Sequence, residues 1–92
     1  MREKRRKDVI AMALSMSIKV LRQKSLMSQI TFAKELNVSP TTVNRWETGK
    51  VKPNLTAMKA IKTFCEQNGY SYSDIEKEWL DYENAIQWSE EK

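Results

Sequence analysis

Histidine is absent from this chain, and cysteine occurs once, at Cys65. A single thiol forms neither a disulfide framework nor a cysteine metal site, and it fits a reducing cytoplasm. No pair of carboxylates sits beside a plausible nucleophile, so the residues offer no catalytic inventory. The expectation is a non-enzymatic protein with no metal and no cofactor. Two glycines and two prolines leave little room for hairpins, which favours helices joined by short turns. No stretch approaches the roughly 18 apolar residues that a membrane span needs. The opening MREKRRKDVIAMALSM combines a basic start with an apolar run, as a secretory signal does. Asp8 interrupts that boundary, however, Lys19 and Arg22 follow the run closely, and its apolar residues keep a helical rhythm through Leu21. The segment therefore reads as a folded helix of a cytoplasmic protein.

A chain of 92 residues can bury one modest core. Its formal net charge of +4 is unevenly spread. Residues 1–24 carry eight Lys or Arg against two acids, residues 25–64 carry six against two, and residues 65–92 carry two against eight. A basic body with an acidic tail suits a polyanionic partner, and a solvated charged face is the plainer alternative. There are no internal repeats, no low-complexity segment and no internal linker. The organisation expected is a basic N-terminal extension over 1–8, a main domain over 9–69, and a C-terminal acidic helix over 70–92.

Within that frame five helices are predicted, making the chain all-α. The first covers 8–24, with Ile10, Leu14, Ile18 and Leu21 on one face and a second stripe of Val9, Ala13, Met16 and Val20 beside it. The arc is wider than a surface helix needs, so the tail or another subunit is expected to cover it. Ser28 suits an N-cap for QITFAKEL, which buries Phe32, Ala33 and Leu36. The turn NVS places Asn37 where a left-handed residue is wanted. Ser39 caps the next helix, with Pro40 at its first position and Gly49 ending it. Asn54 opens a fourth helix with a stripe of Leu55, Met58, Ile61 and Cys65 that closes at Gly69. Ser73 and Glu76 are read as a capping box for a fifth, whose apolar face is Ile75, Trp79, Tyr82 and Ile86.

The stretch SPTTVNRWETGK, residues 39–50, carries more polar chemistry than a merely packed helix needs. Two short helices across a three-residue turn, the second started by a capped proline, form a helix-turn-helix. In that motif the second helix, about 40–48, offers polar side chains from its first turns to base edges while its inward residues lock it to the body. Thr41, Thr42, Asn44 and Arg45 make the polar half, and Val43 and Trp46 the packed half. Arg45 has the fork that donates twice to guanine O6 and N7, and threonine methyls suit thymine methyls. The alternative is that these four side chains only solvate an exposed face.

From Ile18 to about Ile61 the chain resembles the Cro/C1-type (XRE-like) helix-turn-helix family of phage repressors and related transcriptional regulators. The resemblance rests on IKVLR and then SQITFAKELNVSPTTVNRWETGKVKPN, with its ordered Leu-Arg, Ser-Gln, Val-Ser, Trp-Glu and Gly-Lys. It implies a five-helix domain of the lambda-repressor-like DNA-binding type whose partner is a double-stranded DNA operator. By resemblance, Ser28 and Gln29 contact phosphate, Thr41, Thr42 and Arg45 face the major groove, and Pro40 and Asn44 lie at its margins. Lys50 and Lys52 flank the backbone, and Arg22 pairs with Glu47. The chain departs from the family pattern at Leu26, where a glycine is usual, and at Pro40, which carries no hydrogen-bonding side chain.

Function is thus expected to be sequence-specific regulation of transcription, as a repressor of a phage or mobile-element operator. Other readings are the antitoxin of a toxin–antitoxin pair, the controller of a restriction–modification system, and a protein-interaction module with the same fold. One helix-turn-helix covers few base pairs, so a homodimer is expected. Its interface would use Trp79, Tyr82, Ile86 and Trp88 with the second stripe of the first helix. The alternative is that the fifth helix folds back and completes a monomeric core. A protein partner gripped by the C-terminal helix remains a further alternative.

Overall fold

A computed structural model of the chain describes residues 2–91, with side chains described over 8–84. Five helices make it up: α1 (Arg2–Lys24), α2 (Gln29–Leu36), α3 (Pro40–Glu47), α4 (Leu55–Asn68) and α5 (Ser73–Glu91). The described residues contain no strand. Helix α1 begins six residues before the predicted position, because the helix predicted from Asp8 continues back through the basic segment to Arg2.

Each start and stop follows from local chemistry. The Ser28 hydroxyl accepts the Thr31 amide at 3.1 Å, that of Ser39 accepts the Thr42 amide at 3.1 Å, and the Asn54 side chain accepts the Ala57 amide at 2.9 Å. These bonds satisfy amides that the first turn leaves without partners. Helices α1, α2 and α3 all end in the same way. A left-handed residue bonds back to the third residue before it, and its successor bonds to the fifth before itself. The pairs are Leu26 to Gln23 with Met27 to Arg22, Asn37 to Lys34 with Val38 to Ala33, and Gly49 to Trp46 with Lys50 to Arg45. The φ angles at Leu26, Asn37 and Gly49 are 58°, 60° and 77°.

The core forms where the helices converge. Ile18, Phe32, Val43, Ile61 and Cys65 are fully enclosed, and Phe32 meets Phe64 edge to face with ring centroids 5.4 Å apart. Burial pushes the Cys65 thiol above its usual pKa, with Glu66 adding to the effect, so it behaves as a packed apolar group. Two expectations for this core need correction. Leu55 is 65% exposed, and Ala57 and Phe64 take the inward positions with Met58, Ile61 and Cys65. Ser73 does not cap α5: it is already the first helical residue, its hydroxyl lies 3.0 Å from that of Ser71, and the Glu76 amide bonds to the Tyr72 carbonyl.

Helix α5 returns along α1. Tyr70 and Asp74 line one groove with Val20 and Lys24, while Tyr82 lies beside Ala11 and Leu14, so the two helices run antiparallel. The Tyr70 hydroxyl donates to the Lys24 carbonyl at 3.1 Å, and the Trp79 indole donates to the Pro53 carbonyl at 2.7 Å. The fold-back alternative therefore describes Ile75, Trp79 and Tyr82, which pack on the chain's own core. The side chains of Ile86 and Trp88 lie outside the described residues. On α1, Val9, Met12 and Met16 are more than half exposed, whereas Ala13 and Val20 are half-buried.

Leu26 provides a test of these helix ends. Its side chain is 93% exposed, so replacing it removes almost no packing while relieving the left-handed strain. Leu26→Gly removes a strain of about 1–2 kcal/mol, partly offset by the roughly 0.5–1 kcal/mol that glycine loses in chain entropy. The variant should be more stable by about 1 kcal/mol or less, which in a domain of this size raises Tm by several degrees. Thermal melts of the two proteins would measure it, and a lower Tm for the variant would contradict the account.

Candidate nucleic-acid interface

Helix α3 is eight residues long and two-faced. Val43 is fully buried and Trp46 is 3% exposed, so both lock the helix to the core. Thr41, Asn44 and Arg45 point outward and are exposed. Thr42 is half-buried, and its hydroxyl lies 2.8 Å from that of Ser39 at the helix cap. Of the four residues expected on base edges, three thus present polar groups outward. The hydroxyl of the fourth is engaged at the cap.

The side chains expected at the DNA backbone are placed in different ways. Lys50 is exposed directly after α3. Ser28 is exposed at the start of α2, but its hydroxyl serves as the cap and also donates to the Thr31 hydroxyl at 3.2 Å. Gln29 is half-buried between α2 and α3. It donates to Glu47 Oε1 at 3.1 Å and accepts a longer bond of 3.5 Å from the Asn44 amide. Lys52 is turned towards α5, ion-paired with Glu83 and 5.1 Å from the centroid of the Trp79 ring.

The expected Arg22–Glu47 pair is formed, and its geometry is bidentate. Arg22 Nε lies 2.7 Å from Glu47 Oε2 and Nη2 lies 3.0 Å from Oε1, while Nη1 donates to the Met27 carbonyl at 3.0 Å. Side-chain exposure is 15% for Arg22 and 4% for Glu47. The hydrogen bonds to Glu47 raise the guanidinium pKa above its ordinary value; burial works against them and the carboxylate charge adds to them. The pair fastens the C-terminal end of α3 to α1 and to the turn before α2.

Sequence reasoning missed three members of this arrangement. Gln29 was expected to face phosphate, yet it links Glu47 to Asn44, and the only signal was that an amide and a carboxylate occupy neighbouring ends of the two motif helices. Glu83 and Trp79, which engage Lys52, lie about 30 residues away along the chain. No local periodicity connects them to the loop after α3. Among the described residues, no group of three or more His, Cys, Asp or Glu could hold a metal ion. No described helix is long and apolar enough to cross a membrane.

A family model described as helix-turn-helix matches residues 18–65, which run from the last third of α1 through most of α4. Neither the curated proteins nor the solved structures searched gave a match.

The buried pair makes a direct prediction. Arg22→Met strands a carboxylate that is 4% exposed, and breaking a buried pair in this way costs about 3–5 kcal/mol. Glu47→Leu strands the guanidinium in turn. The double replacement leaves no uncompensated charge and should be more stable than either single variant. Denaturant unfolding of the three variants and the parent measures the coupling, and additive losses would show that the pair contributes nothing beyond its separate parts.

Proposed function

The chain belongs to the Cro/C1-type helix-turn-helix family of DNA-binding regulators, and from that premise we propose that it is a sequence-specific repressor acting as a homodimer on a two-fold symmetric operator. The observation that carries this reading is the division of α3. Val43 and Trp46 are buried while Thr41, Asn44 and Arg45 face outward, with Lys50 beside them. A packed half fixes the helix, and an outward polar half meets base edges in the major groove. Arg45 supplies the forked donor for guanine, Thr41 and the Thr42 methyl suit thymine, and Asn44 completes the set. Ser28 and Lys50 are assigned to the DNA backbone, while Gln29 is engaged by Glu47 and Asn44. Lys52 joins them only by leaving Glu83.

Two copies are needed because one recognition helix discriminates poorly among a genome's competing sites. A two-fold axis sets the two helices about 34 Å apart, in successive major grooves on one DNA face. The exposed row of Val9, Met12 and Met16 on α1 is an apolar surface suited to such pairing. The toxin-gripping reading is less well supported, since Ile75, Trp79 and Tyr82 of α5 pack against this chain's own core.

Selection of bound sequences from a random duplex pool tests the proposal. A palindrome with half-sites one helical turn apart is the expected product, and an unenriched pool would overturn it. On the selected site, Arg45→Ala should cost about 1–3 kcal/mol and relax preference at one base pair per half-site. Lys50→Ala should weaken selected and random duplex alike and reduce the salt slope by about one unit per contacted phosphate. Titrations of both variants on both duplexes at several salt concentrations distinguish the roles. Equal losses for Arg45→Ala on the two duplexes would remove it as a base reader.

A further inference from the structure

The buried Glu47 carboxylate sets the direction of the two side-chain amides beyond it, those of Gln29 and Asn44. Ionised, it only accepts hydrogen bonds, so the Gln29 group facing it at 3.1 Å must be the NH2. The Gln29 oxygen is thereby turned towards Asn44, 3.5 Å away. An oxygen accepts but does not donate, so Asn44 must in turn present its own NH2 to it. The order of donors and acceptors therefore follows from the fixed charge: Arg22 donates to Glu47, Gln29 donates to Glu47, and Asn44 donates to Gln29.

We infer that Gln29 is a positioning residue that makes Asn44 a reader of adenine and excludes guanine at the base it meets. The inference rests on the DNA-binding reading proposed above and names a base for one of its contacts. With one N–H committed to Gln29, the exposed remainder of the Asn44 amide is its carbonyl oxygen and the second N–H. The major-groove edge of adenine offers an acceptor at N7 and a donor at N6, which match that remainder. Guanine offers two acceptors, N7 and O6, and so confronts the Asn44 oxygen with a lone pair. An asparagine free to turn could offer its NH2 to guanine instead. Gln29 prevents that turn, and the Arg22–Glu47 pair prevents Gln29 from turning.

The test measures base preference position by position, on the full chain, with duplexes carrying each base at each site position. In the parent, the position lost in Asn44→Ala should prefer adenine over guanine by on the order of tenfold or more, the discrimination of a bidentate pair. Gln29→Met keeps the length of the side chain and removes its amide. It should erase the adenine-over-guanine preference at that position and leave the preference read by Arg45 intact. A purely structural role for Gln29 would instead weaken all positions together. Asn44→Asp is a second, exposed variant that leaves the bonds of Glu47 to Arg22 and Gln29 in place and gives up only the one from residue 44 to the Gln29 oxygen. A carboxylate there only accepts, so the preference should move from adenine towards cytosine, whose N4 donates. An adenine preference that survives Gln29→Met, or a guanine preference in the parent, overturns this inference while leaving the proposed function standing. A parent chain without preference at any position overturns both.

Discussion

Glu47 is where three parts of the chain are held together. Its carboxylate receives the guanidinium of Arg22 from α1 and the amide of Gln29 from α2, while its own backbone forms the end of α3. Arg22 extends the junction by donating to the Met27 carbonyl in the turn between α1 and α2. A helix of eight residues has no stability of its own in water, so the position of α3 is set by these attachments and by Val43 and Trp46. The bidentate fork fixes an orientation as well as a distance, which a lysine in place of Arg22 would not do. Burial makes the arrangement conditional, since either charge alone would be strongly unfavourable at 15% or 4% exposure. The outward face of α3 thus takes its direction from a contact on its inward side.

Much of this was legible in the sequence because the responsible chemistry is local. Ser28, Ser39 and Asn54 each act within three residues, so the cap and the helix it opens are readable together. Asn37 and Gly49 are residues that tolerate the left-handed conformation, and both adopt it. Leu26 adopts it too, although a leucine disfavours it. There the bonds that close the last turn of α1 outweigh the preference of a single residue, and the side chain simply stands in solvent.

The misreadings have physical reasons as well. Leu55 belongs to the stripe by spacing, but it follows the Asn54 cap as the first residue of α4, and the helix turns it outward. Ser73 and Glu76 match a capping box in spacing, yet Tyr72 contributes the carbonyl that closes the first turn of α5. Spacing alone does not say where a helix begins. The pairing of Lys52 with Glu83 and the Gln29 link to Asn44 depend on which helices become neighbours, and only the fold decides that.

Helix α5 illustrates how an acidic element can serve a DNA-facing surface without belonging to it. The loop after α3 is held at its first residues by the bonds from Gly49 and Lys50 back into α3. It is held again at Pro53, which is fully buried and whose carbonyl receives the Trp79 indole. Between these points Lys52 lies against the Trp79 ring and pairs with Glu83, a placement in which the ring face and the carboxylate both favour the cation. Lys50 stays exposed on a segment fastened at both ends. A lysine on such a segment loses less freedom on meeting a phosphate than one on a loose loop, and that saving is the general origin of affinity gained by preorganisation. The returning helix that completes the core therefore also narrows the range of positions open to the charge beside the recognition helix.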